Sequence, residues 1–230
     1  MMSKENVARQ PVTVGEKKLL LQKRRLGVLL LGSLVLLGSV LGLWLWKHRP
    51  SRAAHTFTGT LVTPPRPIPD FVLIDQQGRP FPFGARLNTL NLLYFGYTSC
   101  PDVCPMTLAD MVKVKRLLGE QASAVTFFMI TVDPERDTPE ALQQRLAAFD
   151  PAFIGLTGDR AVLQPIWKAF GVYAQREKIQ GSATGYLVAH SSFLYLVDRH
   201  RQLRLLFAFG TAPQDIVNDI AYMLHQEQRR

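Results

Sequence analysis

The sequence predicts an α/β sandwich built around a central parallel pair of strands and preceded by one membrane-spanning helix. Two continuous apolar runs, Leu90–Tyr97 and Val125–Val132, are typical of strands buried on both faces. Between them, residues 105–119 carry apolar side chains at helical spacing, which gives the order strand, helix, strand. Near the N-terminus, the 21 residues of Leu26–Trp46 include no charged side chain. A stretch of this kind is typical of a transmembrane helix.

The apolar stretch is long enough to cross a bilayer. At ~1.5 Å per residue it spans the ~30 Å hydrocarbon core. Basic residues precede it, so the positive-inside rule puts residues 1–25 in the cytoplasm and the rest of the chain outside. A cleaved signal peptide is the alternative, but its apolar region is normally ~7 to 15 residues long. We therefore expect a retained single-pass helix over residues 26–46.

The charge distribution argues against a nucleic-acid-binding domain. The net charge is +9, but residues 1–66 hold 11 Lys and Arg against 2 Asp and Glu. Residues 67–230 hold 16 of each sign. A nucleic-acid-binding domain carries its basic patch on the folded part, which here is neutral overall. We expect no nucleic-acid partner.

The elements after the anchor follow in order. Residues 47–69 are rich in proline and arginine and predict a linker, with a short additional strand compatible with residues 56–62. We expect the folded domain over residues 70–230. The segment 137–140, Asp-Thr-Pro-Glu, is typical of a helix start. Besides the central unit, the pattern predicts strands at residues 71–74, 153–156, 191–197 and 203–209, and helices at residues 141–149, at residues 159–170 and from residue 213 onward.

The two cysteines of the chain lie four residues apart, Cys100 and Cys104 in GYTSCPDVCPMTL, between a predicted strand and the next helix. A helix N-terminus lowers thiol pKa values, so we expect both thiols to be acidic. At this spacing on a helix the pair would be ~5 to 6 Å apart, close enough for a disulfide or for one metal ion. Structural zinc normally takes four Cys or His ligands, whereas two thiolates with one imidazole suit Cu(I).

Position favours His190 as the third ligand. It stands directly before an apolar strand in YLVAHSSFLYLV, where a sheet can bring it beside the Cys100 loop. The alternative is a buried histidine whose own hydrogen bonds are satisfied within the fold and which binds no metal. The other histidines lie in the predicted linker, in a basic turn and near the C-terminus: His48, His55, His200 and His225.

Three aspartates are further candidates. Asp102, between the cysteines, would tune the local charge, or is simply a solvated loop residue. Asp133 and Asp137 lie in TVDPERDTPE and are candidates to line the site or to contact a partner, although Asp137 is equally explained as a helix cap. Met106 and Met111 are soft donors, but their spacing predicts core packing.

Three motifs in order, GYTSCPDVCPMTL, TVDPERDTPE and YLVAHSSFLYLVD, resemble the Sco/SenC family of copper chaperones for cytochrome c oxidase assembly. The resemblance covers residue 57 to about residue 222. It implies a thioredoxin-like fold, tethered by one helix and facing the bacterial periplasm or the mitochondrial intermembrane space. It also implies a copper site formed by Cys100, Cys104 and His190.

The same resemblance implies one copper ion per monomer, as Cu(I) with Cu(II) as a second candidate state, delivered to the dinuclear CuA centre of cytochrome c oxidase subunit II. An upstream copper donor or thiol reductant is a further expected partner. We expect a bacterial inner membrane protein, because no Arg- and Ser-rich transit segment is present; the mitochondrial inner membrane is the alternative. Two features depart from many members: Ala189 stands where they have aspartate, and the turn at residues 199–201 has no glycine.

An enzyme is the alternative reading: a thiol-disulfide oxidoreductase that reduces cysteines of the oxidase subunit or of another periplasmic client. The predicted fold and the acidic thiols would permit it. Thioredoxin-like oxidoreductases typically have two residues between their cysteines and a cis-proline beside them. Here three residues intervene, and His190 occupies the region of that proline. Both differences favour a metallochaperone over an enzyme.

Overall fold

The computed structural model describes residues 33, 36–44, 46–47, 55–178 and 186–229. The chain divides into two compact units, Met1–Ala54 and His55–Arg230. In the first unit residues 36–44 are helical, and their leucine, valine and tryptophan side chains are exposed. None of the helices in the described residues is long and apolar enough to cross a membrane. Most of the predicted anchor and all of residues 1–25 lie outside the described residues, so the membrane helix stays a prediction.

The second unit is built on an eight-stranded mixed sheet in the order β1-β10-β9-β4-β5-β6-β2-β3. At its centre, β4 runs parallel to β5, which runs parallel to β6, while β9 is antiparallel to β4. Every residue of β4 is buried, as expected for a continuous apolar run covered on both faces. The strands are β1 Thr60–Pro67, β2 Val72–Asp75, β3 Pro80–Pro82, β4 Leu90–Gly96, β5 Val125–Thr131, β6 Ile154–Thr157, β9 Phe193–Asp198 and β10 Gln202–Ala208.

Four helices cover this sheet: α1 Val103–Leu118, α2 Pro139–Ala147, α3 Arg160–Phe170 and α4 Pro213–Glu227. Helices α1 and α4 pack against each other. On the opposite face of β4, the ring of Phe95 contacts Phe170 of α3. Helix α2 begins as predicted: the Thr138 hydroxyl accepts a hydrogen bond from the Ala141 N–H at 3.2 Å, and a proline opens the first turn. The predicted α/β sandwich with a central parallel pair is confirmed.

A two-stranded hairpin outside the main sheet was not predicted. It consists of β7 Ala174–Lys178 and β8 Tyr186–His190, paired antiparallel with Ala174 opposite His190. The segment of β7, AQREK, is polar and largely exposed, so it carries no apolar alternation. Because β8 ends at His190, the strand predicted from residue 191 begins two residues later, at Phe193.

The predicted linker over residues 47–69 is wrong in its second half. Strand β1 spans Thr60–Pro67 and pairs with β10, so the strand considered at residues 56–62 is displaced toward the C-terminus. Ahead of it, His55 donates to the Asp219 carboxylate at 2.7 Å and stacks on Tyr222 of α4. Strand β1 is an exposed edge strand with prolines, which is why its sequence lacks a strand pattern. The fold therefore begins near residue 55 rather than at residue 70.

Candidate metal centre

The cysteines lie where β4 gives way to α1, at the carboxyl edge of the parallel strands. Cys100 is in the loop and Cys104 is in the first turn of α1. The Cys104 N–H points at the Cys100 Sγ, 3.4 Å away, and both thiols are free. This edge is where α/β sheets normally form their sites, because the loops leave the strands there.

His190 completes the group. The Sγ atoms of Cys100 and Cys104 and a ring nitrogen of His190 all lie within 4.8 Å of one another. The Cys104 Sγ and the His190 Nε2 are 3.6 Å apart. The His190 Nδ1 is 3.0 Å from the Ser191 carbonyl oxygen, which only accepts, so Nδ1 carries the proton. Nε2 is then left with a lone pair directed toward the sulfurs.

These three side chains fit a three-coordinate metal ion. Thiolate and imidazole ligands make bonds of ~2.3 and ~2.0 Å to ions such as zinc, so trigonal geometry separates the sulfur and the nitrogen by roughly 3.7 Å. The 3.6 Å between Cys104 and His190 is close to that separation. Two sulfurs and one imidazole form a soft donor set of the kind that selects Cu(I). Within the part of the chain that the structure describes, no other group of three or more His, Cys, Asp or Glu could hold a metal.

Two of the three ligands face a surface cleft. Cys104 is fully buried, whereas Cys100 is 9% exposed. Cys100 and His190 line a cleft of about 260 Å³, which Cys104 does not reach. The other lining side chains come from the loop before α1, from the hairpin and from the residue before β9: Tyr97, Pro101, Asp102, Val103, Glu177, Leu187, Val188, Ala189 and Ser192. A ligand from another molecule would therefore reach Cys100 and His190 from the cleft, but not Cys104.

The two thiols differ in acidity. A hydrogen bond from the Cys104 thiol, with further ones from the backbone N–H groups of Asp102 and Cys104, holds the pKa of Cys100 well below its usual range. The same hydrogen bond to Cys100, together with burial, raises the pKa of Cys104. The expectation that both thiols are acidic is therefore wrong for Cys104 in the metal-free pair. One thiolate is stabilised by the neighbouring thiol, and a second negative charge beside it is disfavoured.

Two tyrosines support the ligands, and the sequence analysis missed both. Tyr94 of β4 donates its hydroxyl to the Cys104 Sγ at 3.2 Å, and burial raises the pKa of Tyr94, so the proton stays on the phenol. The Tyr97 hydroxyl accepts from the Val188 N–H of β8 at 3.3 Å. Burial raises the pKa of Tyr97 to about 12. A buried tyrosine needs a partner for its hydroxyl, and that rule was the available sequence signal.

Asp102 and Met106 lie beside the site without touching the thiols through their side chains. Asp102 precedes the first residue of α1, is exposed, makes no capping hydrogen bond and lines the cleft. Met106 is 52% exposed, so its expected core packing is wrong, whereas that of Met111 is correct. The buried stripe of α1 includes Cys104, Leu108 and Met111, and Met106 falls off that stripe.

Asp133 supports the hairpin that carries His190. Its buried carboxylate forms an ion pair with Arg136 and accepts from the Tyr186 hydroxyl at 2.8 Å. Arg136 donates to the Tyr186 carbonyl at 3.2 Å and lies over the rings of Tyr186 and Tyr97, at 3.8 and 5.6 Å from their centroids. Arg176 of β7 is a second, longer ion-pair partner at 3.5 Å. Asp133 thus ties β7 and β8 to the loop after β5, and it does not itself reach the ligands.

Asp137 fixes the loop that leads to Cys100. Its buried carboxylate accepts from the backbone N–H of Thr98 at 3.1 Å and from that residue's hydroxyl at 2.6 Å. It also accepts from the Thr131 hydroxyl at 2.6 Å. The helix-cap alternative is wrong, because the side chain of Thr138 caps α2. Asp137 therefore joins the end of β5 to the loop two residues before the first cysteine.

Asp137 predicts a specific pH dependence of stability. Burial raises the pKa of Asp137 above its ordinary value of 3.8, so the folded chain retains that proton to a higher pH than the unfolded chain does. The contribution of Asp137 to the free energy of unfolding is therefore expected to fall as the pH rises from 3.8 through the raised pKa. Urea unfolding at stepped pH should show this slope in the native chain and lack it in Asp137→Asn. An identical slope in both proteins would contradict this role.

The two departures from the family pattern lie in different places. Ala189 is in β8 and lines the cleft, so it replaces a side chain directly at the site. The turn at residues 199–201 lies at the other end of the sheet, where Leu90, the first residue of β4, pairs with Asp198. It needs no glycine, because Arg201 itself adopts a φ of 58° and the Asp198 carboxylate accepts from two backbone N–H groups of the turn. Only the first departure concerns the metal ligands.

Comparison with known proteins supports the family assignment that the three sequence motifs indicate. The SCO1/SenC family model matches residues 62–225, which include the cysteines and His190. This chain belongs to the SCO1/SenC family. A SCO2-like protein of Rickettsia conorii is 37% identical over 148 residues, which are 64% of this chain and 72% of the relative.

Solved structures of the family share the fold. ScoI of Bradyrhizobium japonicum, determined with copper bound, is 34% identical and has a TM-score of 0.61, covering 67% of this chain and 98% of its own. The solution structure of apo Sco1 from Thermus thermophilus is also 34% identical, with a TM-score of 0.66, covering 74% of this chain and 99% of its own. The mixed α/β fold is therefore the thioredoxin-like fold of Sco proteins, as expected.

Proposed function

We propose that this Sco/SenC protein is a copper metallochaperone that binds one copper ion through Cys100, Cys104 and His190. The observation that carries the proposal is that the three donor atoms lie within 4.8 Å of one another, although His190 is 86 residues away from Cys104 in the chain. The soft donor set and the copper-bound ScoI structure support copper as the cargo.

Sco proteins form a family of cytochrome c oxidase assembly proteins. We accordingly propose the CuA centre of oxidase subunit II as the destination of the copper. Delivery is a ligand exchange: a donor atom of the acceptor enters the cleft, forms a bond to copper, and displaces the ligands of this chain one at a time. The cleft beside Cys100 and His190 gives such a donor access to the ion.

Copper binding depends on the redox state of the cysteines. Both thiols must be reduced to act as ligands, and they are close enough to oxidise to a disulfide. In an oxidising compartment that disulfide persists unless it is reduced. We therefore propose two further partners, a thiol reductant that keeps the pair reduced and a donor that loads the copper.

The proposal is tested by copper titration of the full chain in detergent, under anaerobic conditions with a reductant that does not bind the metal. We expect one copper per monomer, and X-ray absorption should count two sulfur ligands and one nitrogen ligand. His190→Ala should lower the affinity and remove the nitrogen, because Nε2 is the only nitrogen among the three ligand atoms. A matched His200→Ala change, in the remote turn, should alter neither. Equal affinity and equal nitrogen counts in both variants would overturn the assignment of His190.

The location in the cell is part of the proposal. We propose a single-pass inner membrane protein with residues 26–46 as the anchor and the folded unit in the periplasm. Support comes from the uncharged apolar stretch, from the basic residues before it and from the helical residues 36–44. In intact spheroplasts, added protease should degrade the folded unit. Protection of that unit until the cells are lysed would contradict this orientation.

A thiol-disulfide oxidoreductase is the second candidate, and the acidity of Cys100 favours it. This thiol has a lowered pKa and faces the cleft, as an attacking thiolate requires. The two functions differ in their need for His190, which contributes no sulfur. His190→Ala should weaken copper binding, whereas reduction of a disulfide substrate requires only the cysteines. Rapid catalytic reduction by a chain that does not bind copper would favour the enzyme.

A further inference from the structure

The two sulfurs of the site have different surroundings. Cys104 is fully buried, and its Sγ accepts a hydrogen bond from the Tyr94 hydroxyl at 3.2 Å. Cys100 lines the cleft, and its Sγ accepts a hydrogen bond from the backbone N–H of Cys104 at 3.4 Å. The site is thus built with one enclosed sulfur that is hydrogen-bonded to a phenol and one sulfur that is accessible.

The sequence of β4 determines where the Tyr94 ring lies. Tyr94 and Gly96 are two residues apart on the strand, so they share the face covered by α1. A Cβ atom at Gly96 would lie 2.4 Å from the Cε1 atom of Tyr94. Such a contact is not tolerated without moving the ring, and therefore glycine at this position is what allows the ring to lie along the strand end. The hydroxyl then reaches the sulfur on the first turn of the helix.

A phenol proton directed at a ligand sulfur changes how that sulfur binds copper. A hydrogen bond to a coordinating thiolate withdraws electron density from it, and such contacts tune both the reduction potential and the stability of metal–thiolate sites. In a buried site the hydrogen bond is stronger than in water, because no solvent competes for the sulfur. An isosteric phenylalanine would leave the packing in place and remove only this donor.

We propose that ligand exchange begins at Cys100, the sulfur that lines the cleft, and that Tyr94 is a positioning residue whose hydroxyl weakens the bond of copper to the buried Cys104, so that this last sulfur can release the ion. The inference rests on the proposed copper-binding function and adds the order of events. The acceptor's donor atom forms its bond to copper as the bond to Cys100 breaks, and Cys104 holds the ion until the acceptor has bound. The oxidation state of copper does not change, and the released Cys100 thiolate leaves the ion without transfer of electrons.

The first test is spectroscopic and uses the full chain in detergent, loaded with one equivalent of copper(II). In Tyr94→Phe, loss of the donor should make the sulfur a stronger electron donor, so the sulfur-to-copper absorption band should move to longer wavelength and the reduction potential should fall. Tyr195→Phe is the matched control, because its buried ring packs against Phe95 and Phe170 on the other face of the sheet. The band position of this control should stay that of the native chain.

The second test identifies the sulfur that leaves first. The copper(I)-loaded chain is treated with limiting iodoacetamide, and labelling at each cysteine is counted by mass spectrometry. In the native chain Cys100 should be labelled first, and in Tyr94→Phe, where Cys104 binds copper more tightly, this preference should rise by about tenfold, the lower end of the effects seen for groups that support metal ligands. Gly96→Ala, which retains the hydroxyl but displaces the ring from Cys104, should raise the preference for Cys100 as well.

The outcomes separate this inference from the function on which it rests. If the native chain binds copper, but Tyr94→Phe changes neither the band nor the labelling preference, the role of Tyr94 is wrong and the metallochaperone proposal stands. If Cys104 is labelled before Cys100 in the native chain, the order of exchange is wrong. If the native chain binds no copper at all, both proposals fail. Circular dichroism of each variant verifies that the fold is intact.

Discussion

Cys104→Ala is expected to abolish stoichiometric copper binding. The Cys104 sulfur lies 3.6 Å from the His190 Nε2, and it is the fully buried member of the pair. Its removal leaves one thiolate and one imidazole, with a small apolar gap where the third ligand was. Loss of a group that only supports a ligand lowers metal affinity 10- to 100-fold, so loss of the ligand itself should exceed about 100-fold. Competitive titration with a chromogenic copper chelator measures the effect.

Met106→Ala is the matched control for this change. Met106 offers a sulfur two residues further along the same helix, but its side chain is exposed and lies off the buried stripe. The Met106→Ala variant should bind copper as tightly as the native chain does. If Met106→Ala lost the copper and Cys104→Ala retained it, the site would have been assigned to the wrong sulfur. Cys100→Ala should behave as Cys104→Ala does, because each cysteine supplies half of the thiolate charge.

The core of this fold could be predicted because its strands are buried on both faces. Strands β4 and β5 are continuous apolar runs, and the stripe of α1 between them has a clear helical period. The hairpin of β7 and β8 could not be predicted in the same way. Its first strand is polar and exposed, and hydrogen bonds and ion pairs to a distant loop hold it in place instead of an apolar face. Edge strand β1 was placed too early, at residues 56–62, for a related reason: its residues are exposed and include prolines.

The ligands were easier to predict than the side chains that hold them. The spacing of Cys100 and Cys104 indicated a paired site. The position of His190 made it a candidate ligand, and the family resemblance implied that it is one. Tyr94, in contrast, is one of several large side chains in a fully buried run, and its role depends on which atom its hydroxyl contacts. Asp133 meets Tyr186, 53 residues away, through a fold that no local pattern encodes. Contacts between distant elements decide such roles, so they required the structure.

Asp133→Ala is expected to destabilise the fold and to weaken copper binding together. The carboxylate is fully buried, and its removal leaves Arg136 without this ion-pair partner beneath the hairpin. Removing one partner of a buried ion pair costs ~3 to 5 kcal/mol, and we expect about 3 kcal/mol here, because Arg136 is 21% exposed and regains some water. Loosening of β8 moves His190, so copper affinity should fall about tenfold. Urea unfolding and copper titration measure the two effects.

Two variants make this coupling testable. Asp110→Ala removes a partly exposed carboxylate that pairs with the exposed Lys113 on α1, so it should cost less than ~1 kcal/mol and leave copper binding unchanged. Asp133→Asn retains an acceptor for the Tyr186 hydroxyl but loses the charge, so its stability and its copper affinity should both lie between those of the native chain and Asp133→Ala. A loss of stability without any loss of affinity would mean that His190 is held by the Tyr97 hydrogen bond to β8 alone, and that the ion pair beneath the hairpin serves only the fold.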